Sequence, residues 1–199
     1  MIIGWTALAF LAGSLMFSYW IGRLMKINLK TYGDGNPGAI NLWKAAGYGY
    51  GFAGIVLDFA KGYLPMALMQ HGDSVTGFGI IFPAAAAILG HMFSPFADWK
   101  GGKAIAVTFG VWSGLTGFAA SLAYAIILAV LLLASRRLSK GRPISSETDA
   151  FHVVLGMLLL SIYLVLDNYS WPYVLLGLIN FLLLAYSHRK ELIGMKDTN

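Results

Sequence analysis

The chain is 199 residues long, 58% hydrophobic and only 12% charged, with a mean hydropathy of +0.69. A soluble fold of this size needs a polar surface that 14 Lys/Arg and 9 Asp/Glu cannot supply when they cluster between long apolar runs. The composition therefore defines an integral membrane protein and excludes soluble-enzyme and nucleic-acid-binding classes.

The first apolar run, 2–22, has no basic residue before it and no Ala-x-Ala site after it, so it is expected to be a retained helix and not a cleaved signal. Further runs follow at 48–70, 75–92, 104–117, 118–134, 151–167 and 171–187. Several are shorter than the roughly 20 helical residues that cross a hydrocarbon core. The stretch 104–134 reads as one bent helix or two short ones, with Gly110, Gly114 and Gly117 near the joint. Charge favours the division. All of the 14 Lys and Arg except Lys61 fall in 23–47, 93–103, 135–150 and 188–199, and none falls near 71–74, 117 or 168–170. Seven spans put every basic loop on one side, with the N-terminus outside and the C-terminus cytoplasmic; six would break the alternation. The expected architecture is an all-α polytopic membrane protein, one domain over 1–199, of about seven transmembrane helices. Absence of cysteine removes disulfides, thiolate metal sites and a cysteine nucleophile.

Five polar features interrupt this pattern. Lys61 follows Asp58 by three positions inside the second span, on one helical face. Such a pair is either a self-neutralising brace or a cation oriented toward an anion-binding cavity. The segment 33–41, Gly-Asp-Gly-Asn-Pro-Gly-Ala-Ile-Asn, is too rich in Gly, Pro and Asn for a regular helix, and is either a plain turn or a nest of backbone N–H groups for an anion. Lys100-Gly101-Gly102-Lys103 precedes a span. Opening a helix, it would combine free N–H groups, the positive end of a dipole and two ammonium groups as a phosphate site. His91 is a catalytic base, a phosphate donor or a buried hydrogen-bonding residue, and His188 with Arg189 is a basic anchor or an anion contact. No His/Asp/Glu spacing suggests a metal site.

Taken in order, Gly33 to Asn41, Leu57-Asp58-Phe59-Ala60-Lys61-Gly62, Gly90-His91 through Lys103, and His188-Arg189 resemble the motifs of the acyl-phosphate:glycerol-3-phosphate acyltransferases, an integral-membrane family of bacterial phospholipid synthesis. The resemblance covers essentially the whole chain. It implies transfer of a fatty acyl group from acyl phosphate to the 1-hydroxyl of glycerol 3-phosphate at the cytoplasmic (inner) membrane, without a cofactor or metal. By matching positions it implies His91, Lys103 and Asn36 as catalytic residues. It implies Gly35, Gly38, Asn41, Lys44, Lys61, Lys100, Gly101, Gly102, Ser145, His188 and Arg189 as substrate-binding residues. Membrane lipid and the two substrates are the expected partners, and nucleic acid is not.

The chain departs from the family pattern at Asp34, Ile40, Lys44, Ala104 and Glu191, where Ser, Thr, Arg, Gly and Asn are usual, and the family's terminal Gly-x-Glu is not evident. Asp34 matters most. A carboxylate about 4 Å from a phosphate charge is repelled by roughly 4 kcal/mol at an effective dielectric near 20. The expectation is that it turns away, is neutralised by Lys44 or another cation, or serves a changed substrate. A small anion transporter or channel, and a non-catalytic paralogue, are the competing readings.

Overall fold

The computed structural model describes residues 1–72, 74–140 and 143–194, and every regular element among them is helical. Arg142 and Lys196, two of the basic loop residues, lie outside the described residues. In chain order the α-helices are α1 (Ile2–Ser14), α2 (Phe17–Leu24), α3 (Ala39–Ala46), α4 (Tyr48–His71), α5 (Ile81–Met92), α6 (Ile105–Thr116), α7 (Ala119–Leu138), α8 (Ser146–Leu166), α9 (Trp171–Ser187) and α10 (Arg189–Leu192), with short 3-10 turns at Leu29–Thr31, Gly77–Ile80 and Pro95–Ala97. Five segments are long and apolar enough to cross a bilayer: Ile2–Leu24, Tyr48–His71, Gly77–Ala97, Ala119–Leu138 and Ser146–Leu166. Two apolar helices, α6 and α9, are shorter.

Several boundaries differ from the sequence reading, each for a local reason. The first run is broken, because Leu15 is extended and α1 stops at Ser14. A break in a membrane helix orphans carbonyls that lipid cannot satisfy. Here Ser94 Oγ donates to Ser14 O at 2.6 Å and Lys61 Nζ to Leu15 O at 2.5 Å. The joint in 104–134 falls at Gly117 and Phe118, both left-handed with φ of 55° and 71°. α8 begins five residues before the expected 151 because Ser145 caps it, its Oγ accepting from Thr148 N, with Glu147 and Asp149 in the first turn complementing the dipole. The segment 33–41 is not irregular throughout: Gly38 is the N-cap of α3, so Ala39, Ile40 and Asn41 are helical.

Small residues set the packing. A Cβ at Gly110 would collide with Phe59 O, one at Gly62 with Val107 O, and one at Gly114 with Met66 Cβ and Tyr63 O at 2.7 Å each, so α4 and α6 touch backbone to backbone. Gly13 against Ala87 O and Gly90 against Phe10 O do the same for α1 and α5. Buried polar side chains also tie helices together. Trp112 Nε1 donates to Asn180 Oδ1 at 3.0 Å, whose amide donates to Thr108 Oγ1 at 3.3 Å, fixing α6 against α9.

Candidate active site

The loop before α3 is built around Asp34. Its Oδ1 accepts from the backbone N–H of Asn36 at 3.1 Å and from Asn41 Nδ2 at 2.8 Å. The same amide of Asn41 also donates to Asn36 O at 2.9 Å. Gly33 makes this closure feasible: its φ is +58°, and a Cβ there would strike Asn41 Oδ1 and stand 3.2 Å from Lys44 Nζ.

Asp34 does not turn away, and its partner is Lys103, not Lys44. Lys103 Nζ lies 2.5 Å from Asp34 Oδ2 and 2.7 Å from Glu191 Oε1 on α10. Burial alone would raise the Asp34 pKa, but the hydrogen bond and charge of Lys103, with the bonds from Asn36 and Asn41, outweigh it and hold the carboxyl below its ordinary value. Burial would likewise lower the Lys103 pKa, but its bonds to Asp34 and Glu191 and their charges win and raise it. Three basic-loop regions far apart in sequence thus meet at one ion cluster.

The Lys-Gly-Gly-Lys segment differs from expectation. Its glycine N–H groups are not free: Gly101 N donates to Met92 O at 3.0 Å and Gly102 N to His91 O at 3.1 Å. Nor does the motif open the helix directly, since Ala104 is left-handed (φ 62°) and α6 starts at Ile105. The glycines serve close approach instead. A Cβ at Gly101 would collide with His91 O, and one at Gly102 with His91 Nε2. His91 is buried, and its Nδ1 has no hydrogen-bond partner among the described residues. Glycine at 102 is what lets the backbone pass this close to the His91 ring.

A cavity of about 1000 Å³ brings much of this together. Of the residues expected at a site, Gly35, Asn36, Gly38, Asn41, Lys44, His91, Lys103 and His188 line it. Lys61 does not; it is buried against Asp58 at 2.8 Å, whose other oxygen accepts from Ser18 Oγ at 3.0 Å. Lys100 is exposed and lies outside the lining, as do Gly101 and Gly102. Ser145 caps α8 and borders a separate shallow recess with Leu138 and Pro143. Arg189 lies over the Tyr186 ring at 4.1 Å and donates to Tyr186 O at 2.8 Å, while its neighbour Lys190 lines the cavity.

His188 is buried, and its Nδ1 lies 2.9 Å from Leu184 O. A carbonyl only accepts, so Nδ1 carries the proton and a neutral ring keeps its lone pair on Nε2. Burial lowers the His188 pKa; the backbone bond to Leu184 opposes this but does not reverse it, and the Lys103 charge adds to it. Sequence reading missed Lys30, Ser146, Glu147 and Asp149 in the lining. The last three belong to the first turn of α8, and the Ser145-x-x-Thr148 cap was the available signal. The apolar part of the lining includes Ile55, Phe59, Ile105, Phe109 and Val153. Phe109 is backed by Tyr124 with ring centroids 5.0 Å apart.

Fold and site together define a polytopic helical membrane protein with a cavity whose lining combines lysines, carboxylates and side-chain amides with apolar side chains. The sequence matches the glycerol-3-phosphate acyltransferase family model over residues 3–197. It is 40% identical over 187 residues to glycerol-3-phosphate acyltransferase 1 of Thermotoga maritima, covering 92% of each chain. It is 33% identical over 196 residues to the Streptococcus pneumoniae (strain CGSP14) glycerol-3-phosphate acyltransferase, covering 96% of this chain and 87% of that one. The chain belongs to the glycerol-3-phosphate acyltransferase family. Its fold is that of PlsY, an integral membrane glycerol 3-phosphate acyltransferase. The TM-score is 0.83 at 24% identity against the glycerol 3-phosphate form, covering 98% of this chain and 94% of the other. Against the lysophosphatidic acid form it is 0.81, also at 24% identity, covering 98% and 93%.

Proposed function

We propose that the chain transfers a fatty acyl group from an acyl phosphate to the 1-hydroxyl of glycerol 3-phosphate, releasing inorganic phosphate and leaving lysophosphatidic acid in the bilayer. The observation that carries this reading is the mixed lining of the cavity, where Asn36, Asn41, Lys44, Lys103 and His188 share one hollow with Ile55, Phe59 and Phe109. Two anionic groups and a lipid tail call for such a pairing.

Acyl phosphate is a mixed anhydride and already activated. The protein therefore needs no nucleophile of its own; it has to orient the hydroxyl against the carbonyl and stabilise the developing oxyanion. Lys44 and Lys103 supply charge and Asn36 a short amide. The start of α6 at Ile105 adds backbone donors beside them. The neutral His188 Nε2 is suited to accept a hydrogen bond from the acceptor hydroxyl. His91, which lines the cavity, takes the acid-base or oxyanion role. A substrate phosphate is itself basic enough to receive the hydroxyl proton, in which case His91→Ala leaves the shape of the pH-rate profile unchanged.

The same reading places the protein in the cytoplasmic membrane with seven spans, the N-terminus outside and the polar mouth inside. It is supported by the meeting of the basic segments at Asp34, Lys103 and Glu191 and by the positive-inside rule. A chain without cysteine makes this simple to map: Lys26→Cys should label only from the cytoplasmic side and Ser74→Cys only from outside.

The deciding experiment incubates purified protein with acyl phosphate and glycerol 3-phosphate and follows inorganic phosphate and lysophospholipid together. Equal amounts of both support the reading. Phosphate without lipid means hydrolysis or another acceptor and overturns it, and anion flux in sealed vesicles without either product points to a transporter.

A further inference from the structure

The ion cluster at the cavity mouth contains one ammonium and two carboxylates. Lys103 Nζ meets Asp34 Oδ2 at 2.5 Å and Glu191 Oε1 at 2.7 Å, which uses two of its three donors. The two carboxylates are held very differently. Asp34 is fixed by the Asn36 N–H and the Asn41 amide, so moving it dismantles the loop before α3. Glu191 Oε2, by contrast, is buried with no hydrogen-bond partner among the described residues. Its residue sits on α10, a helix of four residues. Moving Glu191 away breaks its pair with Lys103 without dismantling that loop.

We propose that Glu191 is a specificity-determining residue of the phosphate site: it acts as an internal anion that occupies Lys103 and has to yield that ammonium before a substrate phosphate can take its place. With both carboxylates present the cluster is net negative and repels an incoming phosphate. Once Glu191 withdraws, Asp34 and Lys103 form a neutral pair, and a phosphate oxygen occupies the position Oε1 has left. Only an anion held by additional contacts displaces Glu191 readily. A phosphate ester anchored through its alcohol portion, near Lys44 and Asn36, meets that condition. Free inorganic phosphate, a product of the transfer, has no such anchor, so the internal carboxylate discriminates against it.

This inference rests on the acyl-transfer reading for the identity of the ester, and the test separates the two. Binding of inorganic phosphate and of glycerol 3-phosphate to the full chain in detergent is measured by calorimetry for wild type, Glu191→Gln and Glu191→Gln/Lys103→Met, alongside acylation rates and melting temperature. Glu191→Gln is expected to bind inorganic phosphate on the order of 10-fold more tightly, the scale of one charge-assisted hydrogen bond. It should gain less for glycerol 3-phosphate and lose both gains when Lys103 is removed. Unchanged or weaker phosphate binding in a folded Glu191→Gln protein overturns the proposal, and so does a gain that survives Lys103→Met. If Glu191→Gln does not fold, Glu191→Asp, one methylene shorter, is held to the same outcomes. Tighter phosphate binding with no acylation in any variant leaves the clamp standing and defeats the acyl-transfer reading; full acylation with unchanged phosphate affinity does the reverse.

Discussion

Asp34 and Lys103, 69 positions apart in sequence, meet at 2.5 Å across the mouth of the cavity. This pair eases the difficulty that a carboxylate poses beside a phosphate site. The repulsion of roughly 4 kcal/mol expected from a bare charge at about 4 Å is reduced by Lys103, and fully offset only when Glu191 does not share that ammonium. The loop bonds to Asn36 and Asn41 give Asp34 a second, structural role.

Replacing Asp34 with Ser therefore has two opposed effects. It leaves Lys103 with Glu191 as its one carboxylate partner in the cluster and removes a negative charge, and KM for glycerol 3-phosphate should fall severalfold. It also removes the acceptor for the Asn41 amide, which should lower stability by about 1 kcal/mol, the usual net worth of a hydrogen bond. Steady-state kinetics and thermal unfolding on the same preparation separate the two. If acylation of glycerol 3-phosphate does not rise at low substrate, Asp34 is not what limits it.

The pH dependence of stability follows from the same cluster. The Asp34 carboxyl is lowered in the folded state from 3.8, so its contribution is complete above that value and is lost as pH falls through the folded pKa. Lys103 is raised from 10.5, so its contribution is complete below that value and is lost as pH rises through the folded pKa. Between these limits the difference in melting temperature between wild type and Asp34→Asn/Glu191→Gln should be flat, and it should shrink outside them. A difference that changes steadily between pH 5 and pH 9 would mean that another group, such as His188, dominates.

Glycines 101 and 102 are predicted to act on His91 and not on substrate. A Cβ at Gly101 meets a backbone carbonyl, His91 O, which cannot rotate aside, whereas one at Gly102 meets the imidazole Nε2. Gly101→Ala should thus destabilise by about 1–3 kcal/mol, the range for overpacking a filled site. Gly102→Ala should lose more in kcat than in melting temperature, because the ring can turn at the expense of its orientation. Wild-type kcat in a folded Gly102→Ala protein would remove His91 from the chemistry.

Much of this architecture was legible because its causes are local. Apolar run length placed the helices, and the charge-free gap at 117 placed the division between α6 and α7, where Gly117 and Phe118 are left-handed. The break at Leu15 was not legible. It is stabilised by Ser94 and Lys61, which come from distant parts of the chain, and no pattern within 2–22 encodes them. The loop motifs around Asn36 and Lys103 identified the right region. The direction of the glycine N–H groups was hidden, since it depends on how the end of α5 folds back on residues 101 and 102. Likewise Glu147 and Asp149 precede the apolar run at 151, and only the Ser145 cap, which starts α8 a turn earlier, brings them into the lining.

The sequence allows Lys61 two roles, a brace or an anion contact, and its geometry favours the brace. Its Nζ pairs with Asp58 at 2.8 Å and donates to the carbonyl of Leu15 at 2.5 Å, at the break between α1 and α2. Substituting Lys61→Met keeps the length of the side chain but leaves a buried carboxylate without its cation and a carbonyl without its donor. Breaking such a pair costs about 3–5 kcal/mol, a large part of the roughly 5–15 kcal/mol by which native proteins are stable. Adding Asp58→Asn to Lys61→Met removes the uncompensated charge, so the double variant should recover most of the lost stability while the Leu15 carbonyl stays unsatisfied. Thermal unfolding of wild type, the single and the double variant measures this directly. If Lys61→Met instead melts with wild type and loses only affinity for anions, Lys61 is a binding residue and the break at Leu15 is held by Ser94 alone.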